Sequence, residues 1–296
     1  MNGHSAMDNA FSLLRLVPTV LRARDFRLYT NGKAATAKGA GGEKQRLVDL
    51  WQNGGAAILG HTPPAMLREL KNTASRGLYA PFPHFLEDRY LKALSRIFPG
   101  RTLRLYAAPP PGLEKMAMDG NAALWRPFLD PKDPLAVPAN APPVLVPVVP
   151  GIHGWRVVEN RQGETIALPL GLCVLAIDGS AAAGIDVQAD LPPGDFISPV
   201  LLAVAARGIH DLLAASPSRG NPAFPRISKA LRNGAAPWQR RGPYLFPGPS
   251  IAGQEWAAVF RRFLDAGFLL PPAPFQPAIL PGTLSPGEEA KLAGLL

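Results

Sequence analysis

The sequence predicts an α/β protein, on three observations. Residues 172–177, LCVLAI, form a continuous apolar run that ends at Asp178. A run without alternation suits a strand buried on both faces, as in a parallel sheet. Apolar residues at helical spacing recur at 65–76, 85–97, 199–215 and 254–266, so helices and strands interleave along the chain. Hydrophobic residues fill 47% of 296 positions, enough to cover such a sheet in one or two domains. An acid at the carboxyl end of a parallel strand stands where open α/β sheets bind ligands. Asp178 is therefore the leading site candidate, against the plainer reading of a turn starter ahead of Gly179.

Taken in order, 9–24 carries apolar residues near helical spacing, broken by Pro18, and predicts a short helix and an arm. Residues 27–49 contain Gly32, Gly39, Gly41 and Gly42 and read as a hairpin or loop. Pro63 and Pro64 open a helix over 65–76 that Gly77 closes. A second helix over 85–97 lines up Leu86, Tyr90, Leu94 and Ile97. A strand at 101–106 runs into Pro109, Pro110 and Pro111, and a helix is expected over 115–128, weakened by Gly120. After a proline-rich linker at 130–143 come an apolar strand at 143–151 and a strand at 155–159, followed by a hairpin turn at 161–163. Beyond the helix from 199 lie helices at 223–232 and 254–266, the latter ended by Gly267, and a short strand at 268–270. Ser285 and Glu288 form the S-x-x-E signature of a capped final helix.

Charge is uneven. Residues 1–106 hold 16 of the 31 Lys and Arg but 7 of the 22 Asp and Glu, so the whole formal charge of +9 sits in that third. Its basic residues are scattered and carry no nucleic-acid motif, which argues against nucleic acid as the partner. No apolar run reaches membrane-spanning length, and the start lacks the order of a signal peptide, so a cytoplasmic protein is expected. The lone Cys173 lies inside the apolar run and reads as a buried, inert thiol.

Several stretches resemble class III pyridoxal-phosphate aminotransferases, most closely the glutamate-1-semialdehyde aminomutases. Asp49, Gly54, Ile58, Leu59, Gly60, His61 and Pro64 follow the N-terminal order of that branch, and 260–272 with 284–288 follow its C-terminal order. The resemblance covers 1–106 and 144–296. In this family a hydrophobic strand ends in an aspartate that pairs with the pyridine nitrogen of the cofactor, making the ring an electron sink; Asp178 takes that place. Arg207, in A-A-R-G-I, takes the place of the Schiff-base lysine. Gly112 and Glu114 match the G-x-E of the phosphate loop, with Pro111 where that loop has serine.

These departures matter chemically. A guanidinium stays protonated and forms no imine with an aldehyde, and three successive prolines donate no amide hydrogen bond. The resemblance implies a shortened fold-type-I transferase: an arm and hairpin over 1–50, a reduced large domain with a mostly parallel central sheet over 51–235, and a small C-terminal α/β lobe over 236–296. It implies a homodimer, and pyridoxal phosphate as the ancestral cofactor, met by Asp178, Gly112 and Glu114. Loss of the lysine implies a non-catalytic binding or interaction module. The alternative is an active aminotransferase or aminomutase that uses Lys229, or a lysine of a partner copy. The plainer role for Lys229 is an exposed helix residue. Asp211 and His210 are adjacent on a helix and do not face each other, and no nucleophile or metal-ligand constellation accompanies them.

Overall fold

The structure, a computed structural model, describes residues 12–32, 45–151, 154–159, 165–179, 191–219, 222–232, 237–251 and 256–296. Contacts divide the chain into two compact units, one of residues 1–62, 128–132 and 217–296, the other of 63–127 and 133–216. The first unit opens with a 3-10 turn, Leu13–Leu16, then β1 (Val20–Arg24), β2 (Arg27–Thr30) and β3 (Arg46–Asp49). The second unit takes α1 (Pro64–Ala74), α2 (Leu86–Leu94), β4 (Thr102–Tyr106), α3 (Pro111–Met118) and β5 (Ala122–Trp125). It resumes with β6 (Val144–Pro147), β7 (Gly154–Glu159), β8 (Thr165–Leu170), β9 (Cys173–Ile177) and most of α4 (Pro199–Arg219). The first unit closes with α5 (Pro225–Arg232), β10 (Trp238–Arg241), β11 (Tyr244–Pro247), α6 (Trp256–Asp265), β12 (Phe268–Leu269), β13 (Ala278–Ile279) and α7 (Pro286–Ala293).

In the first unit the N-terminal strands and the C-terminal segment share one core. β1, β2 and β3 form an antiparallel meander, and β12 joins β3 in parallel, with Phe268 opposite Val48 and Leu269 opposite Asp49. Over them lies α6, whose buried Trp256, Val259, Phe260, Phe263 and Leu264 recur at the helical period. Each such side chain contributes about 1.5–3 kcal/mol by leaving water. Trp238 of β10 meets Phe263 at 5.7 Å and Trp256 at 6.1 Å between ring centres. α6 ends where Gly267 adopts φ +88°, a conformation that only glycine takes cheaply. The capping box at Ser285 and Glu288 forms as its signature predicts.

In the second unit the sheet order is β4-β9-β6-β5. β9 is central and buried along its whole length, as the apolar run predicts. Its direction differs from expectation: β9 runs antiparallel to both β4 and β6, while β6 and β5 are parallel. Three of the four strands thus point one way and β9 is the reversed one. The chain reaches β9 through the antiparallel β7–β8 hairpin, not through a helical crossover, and a parallel neighbour needs a crossover. The turn expected at 161–163 lies outside the described residues.

The helix expected over 115–128 is shorter and earlier. α3 stops at Met118, Gly120 takes φ +76°, and Ala122–Trp125 extend as β5. Cys173 is fully buried, which pushes its thiol up to about 12. Burial and a raised thiol are in keeping with the expected inert role.

Candidate functional site

The reversal of β9 decides where each expected cofactor residue falls. Because β4, β5 and β6 point together, their carboxyl ends make one edge of the sheet. The carboxyl end of β9 lies at the opposite edge. Register fixes this: Tyr106, at the end of β4, faces Cys173, at the start of β9, while Thr102 faces Ile177. Asp178 and the β4–α3 loop are therefore separated by the length of five-residue strands, about 14 Å. Gly112 and Glu114 open α3 on one edge, and Asp178 stands on the other. The structure does not bring them together.

Asp178 is also engaged. Its Oδ2 lies 3.4 Å from Arg101 Nη2, and its own N–H donates to the carbonyl of Pro143 at 2.8 Å. Arg101 Nη1 donates to the carbonyls of Pro143 and Ala176, at 3.2 and 3.1 Å. This is a half-buried ion pair that ties the start of β4 to the end of β9.

The carboxyl edge is mostly apolar, although Asp195 Oδ2 accepts the Ala107 N–H there at 2.9 Å and Arg126 follows β5 directly. After β4 come Ala107, Ala108 and three prolines, of which Pro109 and Pro110 are buried. After β6 come Val148 and Val149, both buried, and Pro150. Against Pro150 packs α4, so closely that Gly208 has room for no side chain: a Cβ there would sit 2.7 Å from the Pro150 carbonyl oxygen. At the start of α3 the Leu113 N–H turns back on the Pro110 carbonyl at 2.9 Å. The prolines before it have no N–H to offer.

Arg207 sits on α4, its Nη2 2.6 Å from Asp211 Oδ1 one turn on. That hydrogen bond pushes its pKa further up, so it is a permanent cation. Asp211 thus serves Arg207. His210 is pushed below its ordinary value by burial and by Arg89, Arg96 and Arg207. Lys229 is exposed on α5 of the first unit, in keeping with the plainer reading of it. Among the described residues no group of three or more His, Cys, Asp and Glu is placed to hold a metal, and no helix is long and apolar enough to cross a membrane.

The first unit holds a second constellation. Asp49 ends β3 and is 2% exposed. Its Oδ1 accepts the N–H groups of Trp51 and Gln52, at 2.8 and 2.9 Å, and its Oδ2 meets His61 Nε2 at 2.8 Å. An ionised carboxylate only accepts, so the imidazole donates through Nε2. Between the two residues, Gln52, Asn53, Gly54 and Gly55 all take positive φ, at 49, 49, 66 and 108°. For Gln52 and Asn53 that costs about 1–2 kcal/mol each. The turn is held by Gln52 Nε2 donating to the Ile279 carbonyl at 2.9 Å and Trp51 Nε1 donating to Gln276 Oε1 at 3.0 Å. Asp49, Asn53 and His61 line a cavity of about 320 Å³ with Trp51 and several aliphatic side chains. The motif that names Asp49, Gly60 and His61 was legible in the sequence. Its role as a buried hydrogen-bonded pair beside a cavity was not, because the other walls come from 14–28 and 269.

No family model matches the chain. It is similar to an uncharacterised protein of Treponema pallidum (strain Nichols), 26% identical over 299 residues and 91% of each chain. A protein of Borreliella burgdorferi, also uncharacterised, is 32% identical over 87 residues, 29% of this chain and 28% of that one. Among solved structures, an omega-transaminase from Sphaerobacter thermophilus matches at TM-score 0.58 and 11% identity, over 99% of this chain and 97% of that one. Plasmodium falciparum ornithine delta-aminotransferase matches at TM-score 0.55 and 10% identity, over 94% and 91%. N-acetylornithine aminotransferase from Stenotrophomonas maltophilia K279a matches at 0.54 and 13%, over 96% and 98%. At these identities the likeness is one of fold: the chain has the α/β architecture of these aminotransferases.

Proposed function

We propose that the chain is an aminotransferase-fold protein without aminotransferase chemistry, acting as a binding or interaction module. The observation that carries this reading is the reversed β9. With Asp178 at the amino edge and tied to Arg101, the segments after β4 and β6 offer mainly Ala, Pro and Val, and the acid beside them, Asp195, already accepts the Ala107 N–H at 2.9 Å. The residues present do not fit pyridoxal phosphate. Arg207, proposed to stand at the lysine place, is paired with Asp211 and cannot form an imine. The aminomutase branch is the proposed ancestor, on the residue order at 49–64 and 260–288.

The test is direct. Purified protein with added pyridoxal phosphate is expected to develop no absorbance near ~420 nm, the range of a cofactor–lysine imine, and borohydride is expected to fix no adduct. A borohydride-stable adduct on Lys229 would overturn this reading in favour of an active enzyme.

A homodimer is proposed as the working state. Tyr79, Phe82 and Phe85 are 64, 54 and 65% exposed within one proline-rich stretch, and exposed aromatics so close together mark an interaction surface. The intact chain is expected to elute as a dimer at tens of micromolar, roughly where an obligate dimer holds. The triple change Tyr79→Ser, Phe82→Ser, Phe85→Ser is expected to give a folded monomer. Elution of the unaltered chain as a monomer refutes the proposal.

A further inference from the structure

We propose that the outer strand β1 is a docking edge for an extended acidic peptide, which adds to the sheet with its carboxylates beside Arg22 and Arg24. β1 belongs to the first unit, so this edge is independent of the chemistry at Asp178.

The sheet gathers what the sequence scatters. The basic excess of the N-terminal third forms no run, yet strand pairing places four of its arginines on one face. Side chains directly opposite on paired strands share a face, and so do alternate residues along a strand. Arg22 stands opposite Tyr29, and Tyr29 opposite Arg46; Arg24 stands opposite Arg27. Arg22, Arg24, Arg27 and Arg46 therefore share a face, while Ala23, Leu28 and Leu47 turn to the other, against the core. The Arg22 guanidinium lies 4.4 Å from the centre of the Tyr29 ring, as that register requires.

Few acids answer these cations. Glu288 is taken by Arg27 at 2.6 Å and by Arg46 at 3.2 Å. Asp25 meets Arg24 at 3.7 Å, a loose and exposed pair that stabilises little. Among the described residues no acid pairs with Arg22.

β1 also has an open side. It is the outer strand of the order β1-β2-β3-β12, and among the described residues it pairs with β2 alone. It is uncovered: Val20 and Leu21 are 42 and 59% exposed, and Arg22 and Arg24 are exposed too. An uncovered edge strand is a template for another strand. The arginines decide which one. A second copy of β1 laid antiparallel sets arginine against arginine, and like charges directly opposite repel. An extended segment with acids at every second position sets a carboxylate beside each arginine, and its backbone supplies the ladder bonds. Attraction to one partner and repulsion of the self-pair together make the edge selective. The bulge between Val20 and Arg22 confines the regular ladder to 22–24, so a short segment suffices.

A labelled seven-residue peptide alternating valine and glutamate tests this on the full chain by fluorescence anisotropy. It is expected to bind with Kd at or below about 100 μM at low salt, weakening severalfold at roughly 0.5 M salt. The valine–lysine counterpart is expected not to bind at about 1 mM. The acidic peptide N-methylated throughout keeps its charge but donates no ladder bond, and is expected to bind at least tenfold more weakly. The double change Arg22→Glu, Arg24→Glu, on exposed positions, is expected to lose the acidic peptide and take up the lysine peptide while the melting temperature stays within a few degrees. Failure of the acidic peptide to bind the unaltered chain overturns the proposal. So does equal binding of the methylated peptide, which would reduce the site to diffuse charge, or undiminished binding by the double variant. A single-stranded DNA octamer that binds more tightly than the acidic peptide would make this a nucleic-acid face, and overturns it as well. No pyridoxal phosphate enters this test, so its failure leaves the non-catalytic reading standing.

Discussion

Replacing Gly208 by alanine is expected to destabilise the second unit by about 2–3 kcal/mol, the range of an overpacked core site. Two effects oppose each other. Alanine favours the helix by about 1 kcal/mol over glycine, and the mid-helix position of Gly208 in α4 would ordinarily make the change stabilising. The new Cβ, however, would lie 2.7 Å from the Pro150 carbonyl oxygen, 3.2 Å from Pro150 Cβ and 3.3 Å from Met66 Cε. The methionine can rotate away, but the carbonyl cannot. Pro150 follows the buried Val148 and Val149 directly, so relief requires moving α4 or the end of β6, and the clash wins. Valine at 208 is expected to prevent folding of the unit. Gly287 is the control: it sits in α7 with nothing within 4 Å of its virtual Cβ, so Gly287→Ala is expected to be neutral or slightly stabilising. Urea unfolding of the three proteins measures this. A Gly208→Ala protein as stable as the parent would mean that α4 does not lie against Pro150 as described.

Gly208 also illustrates what the sequence could and could not disclose. Local signals were legible. The Ser285–Glu288 box, the proline-opened α1 and the Gly267 stop of α6 each depend on neighbours a few residues away, and each formed. The burial of 172–177 was legible because an unbroken apolar run has few other homes. Its direction was not, since a run reads the same in a parallel or an antiparallel strand. The parallel direction was inferred from that unbroken run as well as from the resemblance, and the β7–β8 hairpin set it the other way. The cost was large, because Asp178 is a ligand-edge acid only if β9 points with its neighbours. β5 was missed for a related reason. ALW fits a helix or a strand, and Gly120 was read as a weak point within a helix when it is the end of one. The Asp49–His61 site was half-legible. Its motif is local, but the cavity needs Leu14, Leu28 and Leu269 to meet, and no pattern in the chain announces that.

Replacing Glu288 by glutamine is expected to cost about 1–2 kcal/mol near pH 7 and progressively less in acid. Burial alone would raise this carboxyl, but hydrogen bonds from Arg27 and from the Ser285 N–H more than reverse that, and it is pulled from 4.5 down to about 2. Its oxygens meet Arg27 Nη2 at 2.6 Å and Nε at 3.1 Å, Arg46 Nη2 at 3.2 Å and the Ser285 N–H at 2.8 Å. The bidentate pair with Arg27 ties α7 to β2, 261 residues away in sequence. Taken whole, the shift would be worth about 3 kcal/mol by linkage. Arg46 is 54% exposed, so solvent screens part of the field and about half is expected. Because the folded value is depressed, the stabilisation is fully present above the unfolded value of 4.5 and is lost as pH falls through about 2. Glutamine carries no charge at any pH, so the two proteins should differ most at pH 6–7. At pH 3 roughly less than half of the gap should remain, and near pH 2 they should unfold together. Urea midpoints measured at pH 7, 5, 3 and 2 give the curve directly. A gap that stays constant from pH 7 to pH 2 would show that Glu288 acts through the shape of the helix cap and not through its charge.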